Sequence, residues 1–139
     1  MKLTEEQLRF FNTFGFLLFP GLFAKDINTL TNEFEQTWTE HGGDQHDHKQ
    51  RLYLFPLIDQ NEYLSSLLDD PRINGIARSI LGKDFNYLHS DGNYYVGDTY
   101  WHSDKYADDN KLTIKMFFYL DHVTRDTGCL RVIPGSHPM

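Results

Sequence analysis

The sequence predicts an α+β domain, with helices first and antiparallel strands after them. Apolar residues recur at helical spacing as far as Gly82 and alternate one by one beyond it. Gly, Pro, Asn and Asp punctuate the periodic stretches. A run of helices followed by a run of strands, with no linker or internal repeat between them, is the pattern of an α+β domain. The whole of 1–139 reads as a single domain, mainly helical over 1–82 and mainly stranded over 83–139.

Each element has a local cause. Thr4 is placed to cap a first helix, with Gln7 as its capping-box partner and Leu3 and Leu8 as a hydrophobic staple. Leu8, Phe11 and Phe14 form its apolar stripe, and Gly15 stops it. Residues 16–19 are a short apolar run ended by Pro20-Gly21, which predicts a buried strand. Ile27, Leu30, Phe34 and Trp38 predict a second helix ended by Gly42-Gly43, and residues 42–50 form a polar loop. A third helix is expected over 62–68. A fourth opens at Asp70-Pro71, buries Ile73, Ile76, Ala77 and Ile80, and closes at Gly82.

Short strands are expected at 85–89, 94–96, 99–102 and 129–133. The clearest is 112–120, where Leu112, Ile114, Met116, Phe118 and Leu120 point one way. Thr113, Lys115, Phe117 and Tyr119 point the other. The uniformly apolar set should pack on the helices; the mixed set suits the lining of a ligand cavity.

Composition excludes several classes. The formal net charge of -7 argues against a nucleic-acid surface, which needs clustered Lys and Arg. No apolar run reaches the roughly 18 residues of a membrane span. The N-terminal MKLTEEQLRFF lacks the apolar segment of a secretory signal, and the single cysteine, Cys129, has no internal disulfide partner. Together these predict a cytoplasmic protein.

Chemistry concentrates at Trp101-His102-Ser103-Asp104. Residues i and i+2 of a strand share a face, so His102 and Asp104 present an imidazole nitrogen and a carboxylate together. One more histidine would complete the two-His-one-carboxylate triad of non-haem Fe(II) oxygenases. The same tripeptide pattern occurs at His89-Ser90-Asp91, which reads as a solvated turn beside Gly92. His41, His46 and His48 cluster in the polar loop and read as loop residues or, less simply, as a transition-metal cluster. Cys129 reads as a small buried residue, and His122 as part of a turn.

Three stretches together resemble the phytanoyl-CoA dioxygenase family: LTEEQLRFFNTFGFLLFPGLF at the start, GDTYWHSD in the middle, and FFYLDHVTRDTGCLRVIPGSH near the end. The resemblance implies a double-stranded β-helix (jelly roll) with helices packed on one sheet. It implies a dioxygenase that uses Fe(II), 2-oxoglutarate and O2 to hydroxylate a small organic substrate, with His102 and Asp104 as metal ligands. Related halogenases carry a small residue in place of Asp104, so the carboxylate implies hydroxylation. Asn93 resembles a residue that holds 2-oxoglutarate in some members, with a turn residue as the alternative. Lys115 offers a cation to a carboxylate of cosubstrate or substrate, or else reaches solvent. Arg51 is a further candidate cation.

In the family the third metal ligand and the 2-oxoglutarate-binding Arg follow the Pro-Gly-Ser-His block, and this chain stops at Met139. The expectation is a truncated form of a longer enzyme, with His137 a poor substitute ligand. About five or six predicted strands stand against the eight or so of a jelly roll. A chain truly this short is expected to cover its open strand edges by pairing with a second copy, or to act as a non-catalytic binding or regulatory module.

Overall fold

A computed structural model describes residues 1–42, 46–104 and 112–137. Helix α1 (Glu5–Phe14) starts as expected. The Gln7 N–H donates to the Thr4 hydroxyl at 3.2 Å, and the Thr4 N–H donates to the Gln7 side chain at 2.9 Å. It ends at Gly15, whose φ of 81° lies in the left-handed region that glycine enters at little cost.

Helix α2 (Ile27–His41) follows, and its buried face is the expected one: Leu30, Phe34 and Trp38. Thr37 is also buried, and its hydroxyl donates to the Glu33 carbonyl at 2.7 Å, which satisfies it within the helix. The N-terminal Asp26 does not cap α2, because its carboxylate is drawn to Arg72 at 2.7 Å.

The third helix is shorter than expected. α3 (Glu62–Ser66) is capped by the Asn61 side chain and passes into a 3-10 turn, Leu67–Asp69. Pro71 opens α4 (Pro71–Leu81), and Gly82 closes it. Ile76 and Ala77 are buried; Ile73 and Ile80 are half-buried.

Arg72 ties these helices together. Its guanidinium meets Asp26 and Asp70 at 2.7 Å each, donates to the Leu22 carbonyl at 3.0 Å, and lies 3.8 Å from the Phe23 ring centroid. Hydrogen bonding to Arg72 holds the Asp70 carboxyl below the usual carboxylate range. A depressed folded-state value means that the stability Asp70 contributes is present above its unfolded value of about 3.9 and is lost as pH falls through the folded value. Wild-type stability is therefore expected to drop as pH falls below about 4, and Asp70→Asn should flatten that drop. An unfolding series from pH 5 to pH 2 checks this; an unchanged acid limb in Asp70→Asn would count against it.

Among the described residues the sheet is one antiparallel pair. β1 (Leu52–Leu54) pairs with β2 (Gly92–Tyr94), with Leu52 opposite Tyr94, Tyr53 opposite Asn93 and Leu54 opposite Gly92. Leu52, Leu54 and Tyr94 turn inward. The core joins Leu30, Phe34 and Trp38 of α2 to Leu54, Leu57 and Leu64, with Phe23, Tyr94 and Leu120 packed at its margin. Gly92 is the floor of this contact: a Cβ there would lie 2.7 Å from Phe34 Cε2.

The stranded half differs from expectation. Residues 16–19, 85–89, 99–102, 112–120 and 129–133 form no ladder among the described residues, and the strand expected at 94–96 lies at Gly92–Tyr94. β1 was not foreseen. A strand needs a neighbour about 4.8 Å away to take its N–H and C=O groups, and sequence periodicity reports side-chain direction only. The alternation itself survives at 112–120. It does so only in part: Ile114, Met116 and Leu120 are half-buried and Thr113, Lys115, Phe117 and Tyr119 are exposed, but Leu112 and Phe118 of the apolar set are exposed too, with Phe118 meeting Phe23 edge-on at 5.1 Å. A jelly roll is thus not displayed among the described residues, whose architecture is mixed helix and strand. The chain exposes 10785 Å², against about 7,500 Å² for a compact monomer of its mass. Tyr100, Trp101, Leu112, Leu130 and Ile133 are among the exposed apolar side chains.

Candidate metal centre

Residues 99–104 belong to no helix or paired strand, and within them the side chains of His102 and Asp104 converge as their spacing predicts. His102 Nε2 stands 3.4 Å from Asp104 Oδ1. His102 Nδ1 lies 2.7 Å from the Tyr100 carbonyl oxygen. A carbonyl only accepts, so Nδ1 carries a proton, and Nε2 is the ring nitrogen left on the side of the carboxylate, where a neutral ring would offer its lone pair. Two electron-rich atoms facing each other are what a shared cation relieves. Ligands about 2.1 Å from one ion at right angles stand about 3.0 Å apart, close to the observed separation.

Lys115, from segment 112–120, brings Nζ within 3.6 Å of Asp104 Oδ2 and lies 5.1 Å from the Phe117 ring centroid. Lys115 of the mixed set is the residue turned to Asp104. Tyr119 also links two segments without a ladder, because its hydroxyl accepts the Leu130 N–H at 2.7 Å. The residues present fit two adjacent positions of a metal ion. Among the described residues no third His, Cys, Asp or Glu joins them.

The second His-x-Asp is different in kind. His89-Ser90-Asp91 is half-buried, not the solvated turn expected of it. The Ser90 hydroxyl accepts the N–H groups of Leu57 at 3.3 Å and Ile58 at 2.9 Å, and the His89 ring packs edge-on against Phe55 at 5.3 Å. This copy clasps a loop. Two identical spacings thus separate into a converging pair and a structural clip.

Asn93 and Arg51 come together, a pairing the sequence does not show. Arg51 Nε and Nη2 donate to Asn93 Oδ1 at 3.0 and 2.6 Å, and the guanidinium lies 4.3 Å from the Tyr95 ring centroid. The loop histidines are not simply loop residues. His46 stacks on Tyr94 at 4.7 Å with an 18° tilt, and His48 meets His46 edge-on; residues 43–45 of that loop, Gly43 included, lie outside the described residues. Tyr94 donates to Glu35 at 2.7 Å, and burial followed by the Glu35 carboxylate pushes its phenol well above the usual range. His137 does not join the metal pair. It packs against Gly15 and bonds the Asn12 carbonyl at 3.2 Å, while the Gly135 N–H donates to the Phe14 carbonyl at 2.9 Å. The Pro-Gly-Ser-His block is therefore docked on the end of α1. Sequence reasoning also passed over Arg131, which lies 5.7 Å from the Trp101 ring centroid and 3.7 Å from Asp98.

No helix among the described residues is long and apolar enough to cross a membrane. No curated protein and no solved structure matches the chain. The family model described as phytanoyl-CoA dioxygenase (PhyH) matches residues 11–139, a span that takes in β1, β2, the His102–Asp104 pair and the docked Pro-Gly-Ser-His block. By that match the chain belongs to the phytanoyl-CoA dioxygenase family.

Proposed function

We propose that this chain carries part of a non-haem Fe(II)- and 2-oxoglutarate-dependent dioxygenase that hydroxylates a small organic molecule, on the framework of a jelly roll. The observation that carries the reading is the convergence of His102 Nε2 and Asp104 Oδ1 at 3.4 Å, with the Tyr100 carbonyl selecting the ring tautomer. When bound, the iron would supply oxidation of a C–H bond by O2, coupled to decarboxylation of 2-oxoglutarate to succinate. The chain's own residues bind and orient. His102 and Asp104 hold the ion from one side. Lys115 offsets part of the Asp104 charge and presents an ammonium to a carboxylate ligand. Phe117 supplies an apolar wall beside it, and Asn93 is a candidate polar contact for the cosubstrate.

The test is anaerobic titration with Fe(II), or with Co(II) as a spectroscopic stand-in, followed by assay of succinate from 2-oxoglutarate. Wild type is expected to bind the ion, and His102→Ala to abolish both binding and turnover. Metal affinity that is unchanged in His102→Ala would sink the reading. A second reading is favoured by the lack of a third donor among the described residues: a binding or regulatory module that keeps the scaffold without turnover. It predicts ligand binding that survives His102→Ala.

A further inference from the structure

The aromatic margin of the core carries a histidine whose ring nitrogens have no partner. Tyr94 of β2 turns toward α2, away from the face that bears Asn93. Its ring is fixed there. Trp38 meets it edge-on at 4.6 Å and Phe34 at 5.5 Å, and its hydroxyl donates to Glu35 at 2.7 Å. His46 stacks on that ring with centroids 4.7 Å apart. Both His46 ring nitrogens are buried, and neither has a hydrogen-bond partner. A neutral imidazole holds one donor and one acceptor, and leaving both unmet out of water is costly. Buried polar atoms without partners are uncommon, and a binding site for an ion is one of the few reasons for them.

His48 supplies a second imidazole. It meets His46 edge-on, with centroids 4.5 Å apart and planes at 77°. Two imidazoles pointing at one ion about 2.1 Å away, at angles of roughly 90–110°, have centroids about 4.5–5.3 Å apart. The observed separation thus lies within reach of a shared ion after small turns of the rings. His48 is exposed and has room to make that turn. Its φ of 59° is the one positive value at a residue other than glycine among the described residues, a conformation that costs most side chains energy. Asp47, between the two, is engaged with Lys49, whose N–H it accepts at 3.0 Å and whose Nζ lies 3.4 Å away. Charge around the platform suits a cation. Glu35 holds the Tyr94 hydroxyl, and the Asp121 carboxylate also acts on that phenol.

We infer that His46 and His48, carried on the Tyr94 ring, form a binding site for a divalent transition-metal ion of the zinc or copper kind. Imidazole nitrogen selects those ions over magnesium and calcium, which take oxygen ligands. No group of three His, Cys, Asp or Glu forms among the described residues, so the pair supplies two ligands and water the rest. An ion held there ties the segment after α2 to β2. The site shares no residue with His102 and Asp104 and lies on the helix-facing side of β2. Its failure and the failure of the proposed function are therefore separable.

The experiment uses the full chain carrying His102→Ala and Asp104→Ala, which silences that pair, freed of metal with a chelator. The probe is Zn(II), followed by calorimetry and by the imidazole resonances in an NMR spectrum. Saturable binding of one equivalent is expected, with the His46 and His48 rings shifting together. His46→Phe keeps an aromatic ring on Tyr94 and removes both nitrogens; His48→Phe does the same at the exposed position. Each should weaken Zn(II) binding at least about tenfold, the least loss seen when groups around a bound metal are removed. Should His46→Phe not fold, the exposed His48→Phe still decides. Should the doubly substituted background not fold, the wild-type chain decides, because the rings of His46 and His48 report separately from that of His102. Zn(II) moving neither ring resonance saturably, or His48→Phe binding within twofold of its parent, overturns the inference.

Discussion

Replacing Phe34 with alanine lowers stability by about 3–5 kcal/mol, the cost of removing a buried aromatic ring and leaving the space it filled. Phe34 is 8% exposed and sits where α2 meets the β1–β2 pair. Its ring meets Trp38 at 5.9 Å and Tyr94 edge-on at 5.5 Å, and it rests on the bare Cα of Gly92. The neighbours cannot close over the gap without shifting β2, which carries Asn93. The converse change, Gly92→Ala, drives a Cβ to 2.7 Å from Phe34 Cε2 and is expected to cost about 1–3 kcal/mol by overpacking. Because a leucine lacks the ring atom that the new Cβ meets, Phe34→Leu combined with Gly92→Ala should cost less than the Phe34→Leu and Gly92→Ala single changes added together. Urea unfolding of the four proteins measures this. Strict additivity would mean that the two residues do not share the contact.

Removing the Asp104 carboxylate is the largest functional change expected. Asp104→Ala should lower Fe(II) affinity by at least about a hundredfold, since losing even the groups that support a ligand costs about 10- to 100-fold. Turnover should fall with it. His102 would keep its Tyr100 contact, and Lys115 would lose its partner at 3.6 Å. Lys115→Met should behave differently, with metal affinity near wild type and the KM for 2-oxoglutarate raised. Co(II) absorption and succinate assays separate the two effects. An Asp104→Ala protein that binds the ion as wild type does would remove Asp104 from the ligand set, and a Lys115→Met protein with an unaltered KM would leave Lys115 with only its Asp104 contact.

Legibility differed by element for a physical reason. The capping box at Thr4 and Gln7, the stop at Gly15, the start at Pro71 and the buried face of α2 each depend on residues within one or two turns of one another. A single stretch of sequence therefore contains their whole cause. The strands at 99–102 and 129–133 were expected from alternation, and alternation records only where side chains point. Their ladders require partners from elsewhere in the chain, and none is found among the described residues. β1 escaped notice because three residues are too few for a period to register.

The candidate site divides in the same way. From sequence alone came the family resemblance, the shared face of His102 and Asp104, and the mixed face carrying Lys115. The last two follow from spacing along an extended backbone, and the first from the likeness of three stretches of sequence to the family's. The tertiary structure decided which His-x-Asp converges and which clips a loop, that Lys115 reaches Asp104, that His137 belongs to the end of α1, and that Arg51 lies on Asn93 rather than on an acid. Those outcomes join residues far apart in the chain, some by more than forty positions, as with Arg51 and Asn93. Contacts at that separation are set by packing of whole elements against one core, and no local pattern encodes them.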